Sequence, residues 1–161
     1  MRILWLLALS FWLGAAAAKQ KIAVLDFELN DVTAMPNTPA EIKRTAEFAP
    51  LLKDRLRSDG YAEVVDVDPA AQKTANHDFG FLFNNPEAAA ELGRANGADW
   101  TLVAQHGKAS FLFSYFGAYL VNVKTGKAVA RYDIELKGTH RKVSEHAVKR
   151  LAEKMEGDIG R

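Results

Sequence analysis

The chain has 161 residues, 48% of them hydrophobic and 25% charged, with 21 basic and 20 acidic side chains. That is long enough for one domain and short for two, with the composition of an ordinary globular protein. It has no cysteine, which excludes disulfides, zinc–thiolate sites, iron–sulfur clusters, cysteine nucleophiles and an acylated lipoprotein cysteine, and its near-balanced charge gives no electrostatic reason to expect nucleic acid or an anionic membrane as partner.

Arg2 opens the chain, residues 3–13 are apolar, and residues 15–18 are four alanines of the size a signal peptidase accepts. The apolar stretch is shorter than the about 20 residues a spanning helix needs. The pattern predicts a secretory signal over residues 1–18, cleaved near Ala18. The remaining domain, residues 19–161, is then expected in the periplasm, without stable membrane insertion. An uncleaved N-terminal anchor is the alternative.

After Lys21, IAVLDF is a short continuous apolar run, the pattern of a strand covered on both faces. ELNDVTAMPNTP follows and reads as a loop. In AEIKRTAEFAPLLKDRLRSDG, the residues Ile42, Ala46, Ala49, Leu52 and Leu56 form one helical stripe. Pro50 interrupts it and predicts a kink or a fresh helix start. YAEVVDVDP is a second strand, with a short helix from Pro69. Asn85-Pro86 is a helix start with Asn85 as N-cap, and Gly97 closes that helix. WTLVAQHGKA is a third strand.

From Phe111 to Val123 the chain carries no charge and alternates, the odd positions being Phe111, Phe113, Tyr115, Gly117, Tyr119, Val121 and Val123. This period of two predicts a strand whose aromatics form the inner side of an antiparallel hairpin. KTGK is its turn, and 128–136 the half-buried return strand. A last helix places Val143, Ala147, Val148, Leu151 and Met155 on one face. The expected fold is α/β: a single domain with a mixed sheet of about five strands, parallel in its first part and antiparallel in its C-terminal hairpin, with packed helices.

No dinucleotide glycine motif, phosphate loop, H-E-x-x-H or G-x-S-x-G occurs. No catalytic residue, metal site or cofactor is expected. Two features suit binding. Asp26, Glu28 and Asp31 follow the first strand and Asp66 and Asp68 the second, where α/β folds hold ligands. Five carboxylates in one crevice would suit Ca²⁺, Mg²⁺ or acid–base work; as strand-end residues they equally serve as caps. The second feature is HDFGFLFNN, whose Phe79, Phe81, Leu82 and Phe83 stand in a polar loop. Such aromatics mark a partner surface or fold inward as a plug over a sheet edge. The histidines, His77, His106, His140 and His146, read as scattered surface residues.

Three stretches, IAVLDFELND, LLKDRLRSDGYAEVVDVDP and LGRANGADWTLVAQHGKASFLFSYFGAYLVNVKTGKAV, resemble the secreted bacterial family called domain of unknown function 2380. The resemblance implies no catalytic residues. Where many members carry a C-N-G-C-like element, this chain has FGFLFNNPE, so a redox or metal role resting on cysteines does not carry over. The opening strand and mixed sheet are more distantly similar to the N-terminal domain of the Tol–Pal propeller protein, the curli secretion pore protein and penicillin-binding-protein activator lipoproteins. That similarity implies binding to other envelope proteins. The expected function is a non-catalytic binding or adaptor module for an envelope protein partner, and the alternative is a ligand or metal site in the acidic crevice.

Overall fold

Six strands and five helices form around the apolar runs just described, in a computed structural model that describes residues 18–159. The signal reading falls, apart from Ala18, outside the described residues. β1 (Gln20–Val24) lies between β3 (Ala62–Val65) and β4 (Trp100–Lys108), parallel to both, so it is buried on both faces. β4 pairs antiparallel with β5 (Phe113–Asn122), and β5 with β6 (Lys127–Lys137). The sheet order is β3-β1-β4-β5-β6, which leaves β6 as a long edge strand.

The loop predicted after the first strand is corrected at its start, because Glu28–Asp31 is a further strand, β2, also parallel to β4. The register places Val24 opposite Leu102 and Glu28 opposite Gln105. β1 and β2 are thus one strand line interrupted at residues 25–27 with a one-residue slip, which polar ELND conceals from the hydrophobic pattern.

α1 (Pro39–Asp59) and α5 (Arg141–Ile159) cover one face of the sheet. The core there includes Ile22, Phe48, Leu52, Leu102, Phe116, Leu120, Ile134 and Leu151. α2 (Pro69–Ala75), α3 (Phe81–Asn84) and α4 (Pro86–Ala95) lie on the other face over Ala23, Leu25, Val103 and Val121. No helix among the described residues is long and apolar enough to cross a membrane.

Three readings of detail are corrected. The buried stripe of α1 runs through Glu41, Thr45, Phe48, Ala49, Leu52 and Leu56, while Ile42 and Ala46 face solvent. Of the two outcomes expected at Pro50, the fresh helix start does not occur, since Pro50 lies on the exposed side of one continuous element. β5 begins at Phe113, and its core side is the even set, Phe116, Ala118 and Leu120, with Phe111 and Tyr115 exposed. Apolar character alone misassigns the inner face because both faces of this strand are partly apolar. Asn85 is the N-cap of α4 by position, but its side chain donates to Phe81 O at the start of α3 and makes no cap bond.

α4 approaches β4 closely through Gly93, where an added Cβ would collide with Thr101 Oγ1 and come within 2.9 Å of Val123 Cγ2. Gly93→Ala should therefore destabilise the fold by about 1–2 kcal/mol through overpacking, after allowing for alanine's better helix propensity. The reading is a lower urea midpoint at unchanged slope. An unchanged midpoint would show that α4 lifts freely from the sheet.

Candidate functional site

Of the five acidic residues expected in a crevice, four use their carboxylates in local hydrogen bonds or ion pairs. Asp68 caps α2 by accepting from Ala70 N. Asp66 is exposed and pairs with Arg57 and Lys53. Asp26 receives Gln72 through its backbone, N to Oε1 at 2.9 Å and O from Nε2 at 3.0 Å. Asp31 accepts from Thr33 N, Thr33 Oγ1 and Asn37 N, closing the loop before α1. Among the described residues no three His, Cys, Asp or Glu side chains gather to hold a metal ion.

Glu28 has a different position. Its carboxylate accepts from Asn76 Nδ2 at 2.7 Å, Gly80 N at 3.0 Å and Gln105 Nε2 at 3.2 Å. It therefore fastens the segment before α3 to β4, a set of charge-assisted bonds in a half-buried place. Asn76 Oδ1 accepts from Leu82 N, and Asn84 Nδ2 donates to Gly80 O. The aromatic segment is thus an ordered element, where a loop was predicted. Its side chains divide between inward and outward positions. Leu82 is 2% exposed and sits in the α2–α4 side of the core, whereas Phe79 is 62% exposed. Phe81 and Phe83 are half-buried; Phe81 stacks on His77 at 4.0 Å and Phe83 packs on Tyr119 at 4.9 Å.

Phe83 also reaches Gly117 in β5. Val129, Arg131, Asp133, Glu135 and Lys137 of β6 point outward and are exposed. Arg131 lies over the Tyr119 ring at 5.3 Å, donates to Tyr119 Oη at 2.7 Å, and is held by Asp133 at 3.0 Å. Tyr115 lies flat over Gly107, where any Cβ would collide with its ring. Phe83, Tyr119 and Arg131 therefore form one aromatic and guanidinium cluster running from α3 onto the edge hairpin, with Phe79 and Tyr115 exposed as further aromatics. Tyr, Phe and Arg are the residue types enriched where proteins meet.

On the opposite sheet face lies a buried polar cluster invisible to the hydrophobic pattern. Lys108 Nζ binds Glu41 Oε1 at 2.7 Å, with both side chains under 10% exposed. Arg44 donates to Ser144 Oγ and Gly138 O, and its Nη1 lies 3.6 Å from Glu41 Oε2. Thr45 Oγ1 donates to Glu41 O and so accepts from His106 Nδ1–H, at 2.8 Å each, which leaves His106 Nε2 bare and without a hydrogen bond. The surface reading of His106 is corrected, since it is fully buried between Phe48 and Phe116. Burial first, then repulsion from Arg44, lowers its pKa to about 4, with Glu41 opposing. A signal for the cluster does exist in the sequence: Glu41 and Thr45 continue the Phe48–Leu52–Leu56 stripe, and His106 and Lys108 continue the Leu102–Ala104 face of β4. The arrangement ties α1, α5, β4 and the loop after β6 together.

Residues 20–155 match the family described as "Protein of unknown function (DUF2380)". The chain belongs to this family. No curated protein matches it. Among solved structures, this DUF2380 protein resembles the PelC dodecamer from Paraburkholderia phytofirmans, at 17% identity, 86% coverage of each chain and a TM-score of 0.55. It resembles the hypothetical protein CT253 from Chlamydia trachomatis at 12% identity, with 88% of this chain and 98% of that one covered and a TM-score of 0.59. The LpoB C-terminal domain from Salmonella enterica aligns at 15% identity over 77% of this chain and 87% of that one, with a TM-score of 0.50. At these identities the likeness is one of fold, and it places the DUF2380 sheet and its helices in an architecture shared by all three.

Proposed function

We propose that this DUF2380 protein is a non-catalytic binding module of the cell envelope, secreted to the periplasm. It engages a protein partner through the Phe83–Tyr119–Arg131 cluster, the exposed Phe79 and Tyr115, and the free edge of β6. The observation that carries this reading is the exposed outer face of β6, where Tyr119 and Arg131 adjoin an eleven-residue edge strand. Such an edge pairs readily with an added strand, and the charges of Arg131, Asp133 and Glu135 restrict that pairing to a complementary one. Glu28 contributes by holding Phe79 in place. The same-fold PelC is a dodecamer, so a second copy is one form the partner can take.

The test is crosslinking capture from native periplasm, read by mass spectrometry, with wild type beside the triple variant Phe79→Ser, Tyr115→Ser, Arg131→Glu. One dominant partner is expected with wild type. Its yield should fall about 100-fold or more in the variant, since central aromatic and arginine contacts carry about 2 kcal/mol or more each. Equal capture by a folded triple variant would overturn the reading.

A further inference from the structure

At the end of the sheet where β2 and β4 finish, two loops present large apolar side chains to solvent. Val32 N donates to Lys108 O, which sets the β2–α1 loop against the β4–β5 hairpin. Val32 and Met35 on the first loop and Phe111 and Leu112 on the second are 52–77% exposed. The hairpin tip is ordered: Phe113 N donates to Ser110 Oγ, and Gly138 N to Leu112 O. Nothing in the α/β core requires four such residues at one tip.

The charge around this tip is one-sided, although the chain as a whole is nearly neutral. The third segment at this end is KGTHRK, residues 137–142, with Lys137, Arg141 and Lys142 and no acid. Lys137 pairs with Glu135 and Arg141 with Glu145, and Arg141 also feels Glu47, but those acids sit farther back, along β6, one turn into α5 and two turns into α1. Asp31, the last residue of β2, has its carboxylate taken up by Thr33 and Asn37. α1 and α5 both begin at this end, which adds the positive ends of two helix dipoles. An apolar tip inside a basic collar is complementary to a surface that is apolar within and anionic at its boundary.

We propose that this end of the domain docks on an anionic lipid bilayer, with Phe111 and Leu112 entering the headgroup–acyl boundary and Lys137, Arg141 and Lys142 facing lipid phosphates. The docking is peripheral; it takes Lys137 at the end of β6 and leaves the part of the hairpin farther from the tip, with Tyr119 and Arg131, to the protein partner.

The chain has no cysteine, so Leu112→Cys in the full chain takes one environment-sensitive fluorophore at the tip, and Glu153→Cys on the outer side of α5 takes the control. With vesicles of equal parts phosphatidylglycerol and phosphatidylcholine, the label at 112 should blue-shift and brighten while the label at 153 does not. The apparent affinity read from the 112 label should fall about tenfold with pure phosphatidylcholine, and by a similar factor when Lys137, Arg141 and Lys142 are changed to Glu. Phe111→Ser should weaken it further. The reading is local to the tip, so binding through the N-terminal apolar segment does not reproduce it. A 112 label that stays in water-like emission on vesicle-bound protein overturns the proposal. A blue shift that follows protein concentration without lipid also overturns it, because it assigns the tip to a second copy.

Discussion

Glu41→Ala is expected to cost about 3–5 kcal/mol of stability, a large share of the about 5–15 kcal/mol that holds a domain of this kind together. The substitution leaves Lys108 buried beside His106 without its ion-pair partner, and leaves Arg44 without its acidic neighbour. An unpaired buried cation is destabilising because the protein interior does not replace its water. The melting temperature should fall by roughly 10–15 °C at this chain length. Replacing both partners, Glu41→Leu with Lys108→Met, should restore most of the loss, since a buried ion pair contributes little beyond an apolar pair of like volume. A loss under about 1 kcal/mol in the single variant would mean that water reaches Lys108 and that the cluster does not clamp α1 to the sheet.

Acidification should destabilise the fold through His106. Its folded pKa is about 4, against about 6.5 in the unfolded chain. Between those values the unfolded state binds a proton that the folded state refuses, so stability rises with pH across the window and is complete above about 6.5. The loss on going from pH 7.5 to pH 5 is about 2 kcal/mol, approaching about 3 kcal/mol near pH 4. Urea denaturation at a series of pH values measures it. His106→Gln, which removes the titrating ring, should flatten the dependence between pH 6.5 and 5. A wild-type curve already flat there would show that the ring is hydrated or protonated in the native state.

The order of strands and helices was legible because apolar runs such as IAVLDF and WTLVAQ are punctuated by Gly60, Pro69, Pro86 and Gly97. What escaped the pattern has a common physical cause: residues classed as polar that are buried because they have partners. Glu41 and Thr45 interrupt an apolar stripe only on paper, since Lys108 and His106 meet them across the helix–sheet interface. β2 escaped for the same reason, its residues Glu28 to Asp31 being half-buried and hydrogen-bonded to β4. The inner face of β5 was inverted because an apolar tyrosine face on a partly exposed hairpin scores like a core face. The aromatic segment was legible as unusual, and only the structure divides it into an anchoring Leu82, half-covered Phe81 and Phe83, and a presented Phe79. The acidic residues were legible as strand-end residues; that Glu28 organises the aromatic segment depends on contacts 48 and 52 positions apart in the chain.

Photocrosslinking in the native envelope tests the proposed binding surface most directly. A photoreactive residue is placed singly at Phe79, Tyr115, Asp133, Lys149 and Glu153, the last two on the exposed side of α5. One partner band is expected from positions 79, 115 and 133 and none from 149 and 153, with the band lost when Arg131 is changed to Glu. A band obtained mainly from α5, or unaffected by Arg131→Glu, would place the partner on the other side of the domain and contradict the assignment of function to the exposed outer face of the β5–β6 hairpin.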